Sequence, residues 1–353
     1  MSLRWTDWPA EVLAVLRRGA VIPAHPLALN ARRQFAPQRQ QALTRYYLDA
    51  GAGGLAVGVH TTQFAIRDAG LYRPVLESAA ETAAHWAKAK PVLIAGVIGR
   101  TRQAVAEAQT ARGLGYHAGL LSLAAFKGAG EDELIEHCTA VAREIPLVGF
   151  YLQPAVGGIV LPASFWRRFA AIENVVAIKI APFNRYRTLD VIRGVVEAGA
   201  EERVTLYSGN DDHIVLDLLT PFTIAAQGRL HTVRIKGGLL GHWSVWVQSA
   251  VQLLHRIHKA AKRPAIPNDL LELEAQVTDC NAAIFDVAND FHGVIAGCHE
   301  ILRRQGLLEG VWCLDPAETL GPGQKEEIDR VTAAYPHLTD DAFVAANLDR
   351  WLS

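Results

Sequence analysis

Lys179 is the residue whose type and position most directly suggest chemistry. It lies within the apolar run Val175–Ala181, where a permanently charged ammonium is costly and the pKa of the amine should fall. A desolvated lysine has more free amine at neutral pH, as carbinolamine and imine formation with a ketone requires. The alternative is a lysine that extends to the rim of the fold or pairs with an acid. The run by itself does not decide between these two interpretations.

Tyr151 lies near the end of the preceding apolar run, which reads Phe-Tyr-Leu-Gln-Pro. If the two runs are neighbouring strands, the phenol can point into the same opening as Lys179. A phenol beside an imine can pass protons during dehydration and C–C cleavage. The alternative is a structural tyrosine whose hydroxyl only satisfies a hydrogen bond.

These residues belong to a regular alternation of short apolar runs and longer segments with helical spacing of Ala and Leu. Such an alternation is typical of a parallel sheet whose outer face is covered by helices. The pattern predicts strands at 20–24, 54–59, 92–98, 119–123, 148–152, 175–180 and 204–208, and an eighth between 222 and 240. It predicts helices at 37–49, 78–89, 102–114, 132–143, 162–171, 189–198 and 212–219.

Eight such units favour an α/β fold of the (β/α)8 TIM-barrel class, which we assign to residues 1–243. A doubly wound open sheet is the competitor, but no GxGxxG loop follows the first predicted strand. Residues 244–353 form a predicted C-terminal helical extension packed on the barrel, with helices at 245–261, 269–289 and 293–304. The polar segment 279–292 is interpreted as a lid or an interface, and none of its residues is assigned a role.

Composition restricts the class of partner. The 35 Lys and Arg residues nearly balance the 36 Asp and Glu residues, so no overall positive field would hold a nucleic acid, and a small-molecule partner is expected. Four cysteines without CxxC spacing indicate reduced thiols and a cytoplasmic location. The N-terminus lacks the uninterrupted apolar core of a signal peptide, and the apolar runs are shorter than the roughly 20 residues of a membrane-spanning helix.

Polar side chains at the ends of the predicted strands are the candidates for a site, because barrel enzymes carry their reacting groups there. We expect His60, Thr61 and Thr62 to hold the carboxylate end of a substrate. Besides these and the two residues above, the strand ends supply His25, Ser122, Gln153 and the segment from Ser208 through Gly209, Asn210 and Asp211 to Asp212.

Several segments occur in the order of a known family: Ile22-Pro23-Ala24, the strand from Pro91 to Val97, the Tyr-x-x-Pro at Tyr151 to Pro154, Ile178-Lys179, and the turn Ser208-Gly209-Asn210-Asp211. From Val21 to Leu219 the chain resembles the dihydrodipicolinate synthase and N-acetylneuraminate lyase family of class I aldolases. The resemblance implies Lys179 as the imine former, Tyr151 as the proton shuttle and a 2-oxo acid substrate, usually pyruvate or a sugar acid that yields it. With these catalytic residues we group Ser208, Gly209 and Asn210 as substrate-binding, and no cofactor is implied.

The chain also departs from the family pattern. The family's Gly-Thr-Thr-Gly-Glu or Gly-Ser-Thr-Gly-Glu loop is replaced by Gly-Val-His-Thr-Thr-Gln at 58–63. Val156 stands where synthase members carry an arginine for a second carboxylate, and Phe126 stands where they place an interface tyrosine. Dihydrodipicolinate synthesis is therefore not expected. Family members are commonly dimers or tetramers, so a homo-oligomer of that size is expected.

Two other classes of function stay open. A metal-dependent lyase or hydrolase would use nitrogen and oxygen ligands from His60, Asp211, Asp212, His213 and His242, although no HxH or HExxH pattern supports it. A non-catalytic sugar-acid binding protein on the same fold would explain the altered carboxylate loop. We favour the Schiff-base lyase or aldolase, with no metal.

Overall fold

Eight parallel strands form a barrel in the computed structural model, which describes residues 2–353. A bridge between Ala24 and Ala56 brings the first and second strands together, so the barrel is nearly closed. The predicted TIM barrel is confirmed. Its strands are β1 (Val21–Pro23), β2 (Gly54–Val57), β3 (Val92–Val97), β4 (Ala118–Leu121), β5 (Leu147–Leu152), β6 (Val175–Ala181), β7 (Thr205–Ser208) and β10 (Gly237–Leu240).

The eighth barrel strand, β10, lies in the predicted interval but follows an antiparallel hairpin. The hairpin consists of β8 (Phe222–Ala226) and β9 (Arg229–Val233). Its two-residue turn, Gln227 and Gly228, has φ values of 51° and 75°, the positive values that a tight hairpin turn of this kind requires. The apolar content of residues 222–240 did not by itself show which part forms the hairpin and which part forms the barrel strand.

The helices cover the outside of the barrel, and an additional helix, α1 (Ala10–Arg18), precedes β1. Val12 and Leu16 of α1 pack into the inner apolar cluster of the barrel, and Tyr207 of β7 donates a hydrogen bond of 2.9 Å to the Leu16 carbonyl. The remaining helices of this part are α2 (Pro37–Asp49), α3 (Tyr72–Trp86), α4 (Thr101–Gly113), α5 (Glu131–Ala142), α6 (Ala163–Ala171), α7 (Arg185–Glu197) and α8 (Ile214–Leu219).

Two of these helices begin earlier than their apolar spacing predicts. Helix α7 begins at Arg185 rather than at residue 189, because the Asn184 side chain caps it by accepting a 3.2 Å hydrogen bond from the Arg187 amide. Helix α3 begins at Tyr72 rather than at residue 78, with Pro74 in its first turn, where a missing N–H costs nothing.

The C-terminal helices pack on the barrel helices and on each other. They are α9 (Val247–Ala260), α10 (Asn268–Ile284), α11 (Val294–Arg304), α12 (Gln324–Ala334) and α13 (Asp341–Leu352), of which the last two were not predicted. Tyr46 of α2 donates a 2.7 Å hydrogen bond to Asp340, and Trp351 of α13 donates one of 2.7 Å to Asp49. We retain as a proposal the boundary between the barrel and the C-terminal helical extension at residues 243 and 244.

No helix among residues 2–353 is long and apolar enough to cross a membrane.

Candidate active site

A cavity at the C-terminal end of the barrel contains the Lys179 side chain. Its volume is about 50 Å³, far below the roughly 300–1,000 Å³ of pockets for drug-sized ligands, so it suits only a small reacting group. The lining residues come from strand ends and following loops (Ala24, Val59, His60, Thr61, Phe150, Leu152, Gln153, Val156, Lys179, Ala181, Phe183, Gly209, Asp211, Gly241) and from the C-terminal region (Phe285, Phe291, Val294).

Lys179 lies on β6 between Ala177 and Ala181, which face the inner cluster of the barrel. Its side chain is 7% exposed, and the ammonium lies 4.5 Å from the centre of the Phe150 ring. Burial lowers the pKa of the Lys179 amine to about 8, and the nearby Asp211 carboxylate opposes this shift. The amine is therefore much more nucleophilic at neutral pH than an exposed lysine.

Asp211 is the acidic side chain of the cavity. It is 3% exposed, and its Oδ1 accepts a 2.8 Å hydrogen bond from the His242 amide. Burial raises the pKa of Asp211 to about 7, although the His242 N–H and the Lys179 charge favour the ionised form. A carboxyl group with a pKa near the operating pH is suited to general acid–base catalysis.

His60 and Thr61, which we predict to hold the carboxylate end of a substrate, line the cavity. Burial and the Lys179 charge lower the pKa of His60 to about 4, so the half-buried imidazole is neutral at pH 7 and can contribute hydrogen bonds but no charge. Thr61 donates a 2.6 Å hydrogen bond to the Ala24 carbonyl, which holds the loop after β2 against the end of β1.

Thr62, Ser208 and Asn210, which we predict to bind substrate, do not line the cavity, and their side chains bond neighbouring groups of the protein. Thr62 donates to the His25 carbonyl at 2.6 Å and accepts from the Gly58 amide at 2.9 Å. Ser208 and Asn210 both donate to buried Asp217, at 2.7 and 2.8 Å. In the structure these three side chains hold the loops after β2 and β7.

Tyr151, predicted to point into the same opening as Lys179, faces the helices instead and does not line the cavity. Its ring packs 5.3 Å from Trp166, and its hydroxyl accepts a 3.1 Å hydrogen bond from the Leu161 amide. The reason is a register shift: Leu147 pairs with Val175 but Val148 pairs with Ala177, so Phe150 rather than Tyr151 lies opposite Lys179. A shift of one residue reverses which side chains face inward.

We expect Tyr151→Phe to keep turnover of an identified substrate within a few-fold of the wild type, because the hydroxyl lies outside the cavity. The variant leaves the Leu161 amide without its acceptor, which should lower the free energy of unfolding by about 1 kcal/mol. Steady-state kinetics and urea denaturation measure the two effects. A loss of 100-fold or more in turnover at unchanged stability would restore Tyr151 as a proton shuttle.

Gly209, a predicted substrate-site residue, packs closely against Lys179. A Cβ atom at this position would lie 2.6 Å from Lys179 Cε and 2.9 Å from Ala181 Cβ. We therefore expect Gly209→Ala to displace the amine and to slow imine formation by about 10²-fold, the order of effect of a misplaced reacting group. Borohydride trapping rates measure this, with Gly113→Ala as the matched control because no atom lies within 4 Å of its added Cβ. Equal trapping by Gly209→Ala would mean that the lysine is not confined there.

Of the five residues of the metal-dependent alternative, His60 and Asp211 line the cavity and the other three do not. His213 bonds Glu274 at 2.7 Å, Asp212 lies 3.6 Å from Arg185, and the His242 ring lies beside Trp246. In the described part of the chain, no three His, Cys, Asp or Glu side chains form a group that could hold a metal ion. The geometry lends this alternative no support.

Sequence reasoning missed the contribution of the C-terminal region. Helix α10 ends at Ile284, not at residue 289, and the chain then turns back through Asp286, Asp290 and Phe291, whose φ values are 56°, 53° and 66°. This turn brings Phe285, Phe291 and Val294 over the cavity. The polar segment 279–292 indicated that something other than a plain helix lies here, but not which residues face the site.

Comparison with known proteins identifies related sequences and folds. The family model described as "Dihydrodipicolinate synthetase family" matches residues 18–224. A 4-hydroxy-tetrahydrodipicolinate synthase from Synechococcus elongatus is 28% identical over 218 residues, which cover 60% of this chain and 67% of that protein.

Solved structures with the same fold have much lower sequence identity. Dihydrodipicolinate synthase from Acinetobacter baumannii, complexed with pyruvate, is 18% identical with a TM-score of 0.72, covering 90% of this chain and 98% of that one. N-acetylneuraminate lyase from Fusobacterium nucleatum is 17% identical with a TM-score of 0.71, covering 90% and 99%. At these identities the likeness shows the fold alone.

Proposed function

Because the chain belongs to the dihydrodipicolinate synthetase family, whose members are lyases of the class I aldolase type, we propose that it is a Schiff-base-dependent lyase or aldolase of a small 2-oxo acid. The observation that carries the proposal is a buried lysine, its amine pKa lowered to about 8, on the wall of a small cavity at the catalytic end of a barrel.

In the proposed reaction, Lys179 Nζ adds to the C2 carbonyl of the 2-oxo acid, and loss of water from the carbinolamine gives the imine. The imine withdraws electrons from C3, so that a proton can leave C3 or a bond to it can break. With Tyr151 turned away, we assign the proton transfer to Asp211. We assign the carboxylate end of the substrate to His60 and Thr61, which line the cavity. These steps require no cofactor.

The proposal excludes dihydrodipicolinate synthesis as the main activity. Val156 lines the cavity where a carboxylate-binding arginine is expected from the family pattern, and Phe126 is 2% exposed and packs 4.3 Å from His137. Arg185 and Arg187, which follow the lysine strand, pair with Asp212 and Asp190. A reactant with a second carboxylate would therefore meet no positive partner there.

Borohydride trapping tests the function directly. The protein is incubated with pyruvate, 2-oxobutyrate or N-acetylneuraminate and sodium borohydride, and peptide mass spectrometry locates the reduced adduct. We expect an adduct on Lys179 alone, at a rate that rises with pH towards 8 as the amine loses its proton. No adduct, or adducts only on exposed lysines such as Lys90, would contradict the proposal. Trapping without turnover would favour the sugar-acid binding protein.

The proposed partners are a small-molecule 2-oxo acid and further copies of the same chain in a dimer or tetramer. The support for the oligomer is family membership. Analytical ultracentrifugation at micromolar concentration would test it, and a monomer at all concentrations would contradict it.

A further inference from the structure

We propose that Glu274 is a positioning residue for proton transfer, and that from helix α10 it holds the loop that carries Asp211 to the cavity. This inference rests on the proposed function, in which Asp211 transfers the C3 proton of the 2-oxo acid bound to Lys179. Glu274 does not line the cavity and belongs to the C-terminal helical region. The catalytic loop of the barrel then depends on that region for its position.

Glu274 is a buried acid whose two carboxylate oxygens both bond the segment that follows Asp211. It is 8% exposed. Its Oε2 accepts hydrogen bonds of 3.0 and 3.2 Å from the Val215 and Leu216 amides, and its Oε1 lies 2.7 Å from His213 Nδ1. The two amides belong to the first turn of α8, where a helix supplies no acceptor of its own. Because a buried carboxylate is costly without partners, these contacts fix α10 and the loop to each other.

Thr278, one turn further along α10, gives the same loop a second anchor. Its hydroxyl donates a 2.8 Å hydrogen bond to the Asp212 carbonyl and also lies 2.9 Å from the Glu274 carbonyl oxygen. Residues four apart lie on one face of a helix, so Glu274 and Thr278 present one polar face to the loop. The two residues directly after Asp211 are therefore both bonded to α10.

The barrel fixes Asp211 from the other side. The Gly209 amide donates a 2.7 Å hydrogen bond to the Ile180 carbonyl on β6, and Asp211 Oδ1 accepts one of 2.8 Å from the His242 amide. These bonds hold the start of the loop and one carboxylate oxygen, whereas the bonds from α10 hold the backbone that follows. Because a misplacement of about 1 Å can cost about 10²-fold in rate, we expect the anchors from α10 to matter for proton transfer.

Lys179 is held by the barrel itself. It is part of β6, which pairs with β5 and β7, and its side chain packs against Phe150. Loss of the Glu274 contacts should therefore leave imine formation intact and slow the step after it. In that step the C3–H bond breaks, the Asp211 carboxylate takes the proton, and the electron pair forms the C2–C3 double bond of the enamine while the iminium nitrogen becomes neutral.

Exchange of the pyruvate methyl protons in D₂O measures this step, because an enamine that reverts takes a deuteron from a carboxyl group equilibrated with solvent. Proton NMR follows the exchange, and borohydride trapping of pyruvate on Lys179 measures imine formation separately. We expect Glu274→Ala to slow exchange by roughly 10- to 100-fold, the order of effect of a misplaced reacting group, with trapping at the wild-type rate.

Two further variants separate the Glu274 contacts from the charge and from the helix. Glu274→Gln should recover most of the exchange rate, because its amide oxygen can accept from the same two amides and its NH₂ group can donate to a neutral imidazole. Glu272→Ala is the matched control, because Glu272 is an exposed acid on the same helix, and we expect it to exchange and trap pyruvate as the wild type does.

A double-mutant cycle with Asp211→Asn distinguishes positioning from a general loss of structure. If Glu274 acts through Asp211, adding Glu274→Ala to Asp211→Asn should lower the remaining exchange rate by no more than about twofold. The full loss in that background, a parallel loss of trapping and exchange, or wild-type exchange in Glu274→Ala would each overturn the inference. If Glu274→Ala does not fold, Thr278→Val carries the same cycle, with a loss of exchange again expected. Trapping without exchange in the wild type would also overturn the inference, whereas absence of pyruvate trapping in the wild type would instead contradict the proposed function.

Discussion

Lys179→Ala is expected to abolish borohydride trapping at the barrel mouth and to lower turnover of an identified substrate by about 10⁶-fold, the order of loss when a covalent nucleophile is removed. The physical reason is that, among residues 2–353, Lys179 is the one amine that lines the cavity, so no other described group there can form the imine. Intact-mass spectrometry and steady-state kinetics measure the two losses.

A second variant separates chemistry from packing. Lys179→Met keeps an unbranched side chain of similar length against the Phe150 ring, which lies 4.5 Å from the amine in the wild type, and it removes a buried charge. It should therefore fold at least as stably as the wild type and still be inactive. Lys90→Ala is the matched control, because Lys90 is exposed and does not line the cavity. Near-normal activity of either Lys179 variant would contradict the Schiff-base mechanism.

Asp211→Asn is expected to keep pyruvate trapping but to lower turnover by about 10²- to 10⁴-fold, the usual contribution of general acid–base catalysis. The asparagine oxygen can still accept the hydrogen bond from the His242 amide, which is 2.8 Å long in the wild type, so the loop should keep its shape. Asp212→Asn is the control, because Asp212 is half-buried, lies near Arg185 and does not line the cavity.

The pH dependence distinguishes proton transfer by Asp211 from a structural role. Burial raises the pKa of Asp211 to about 7, so turnover should rise with pH as this carboxyl group loses its proton, and this step should be absent in Asp211→Asn. The negative charge of Asp211 raises the pKa of Lys179. Its removal should therefore move the midpoint of trapping to a lower pH than in the wild type. Unchanged profiles for both turnover and trapping would contradict the assignment.

Local patterns in the sequence were sufficient to predict the barrel and to single out Lys179 as the candidate nucleophile. A strand covered on both faces is apolar throughout. A lysine within Val175–Ala181 is therefore conspicuous, because every other residue of that strand is apolar. The loops after β2 and β7 were also correctly located, because polar residues end those strands. His60, Thr61, Gly209 and Asp211 all come from these loops and line the cavity.

Only the tertiary structure decided which neighbouring side chains face the lysine. One register irregularity between β5 and β6 places Phe150 opposite Lys179 and turns Tyr151 outward, and strand periodicity contains no signal for an irregularity that arises from pairing. Phe285, Phe291 and Val294 are more than 100 residues from Lys179 in the chain, and their place on the cavity depends on how the C-terminal helices pack on the barrel. Periodicity and residue type report the local environment of a strand, whereas register and long-range packing are set by contacts between distant segments.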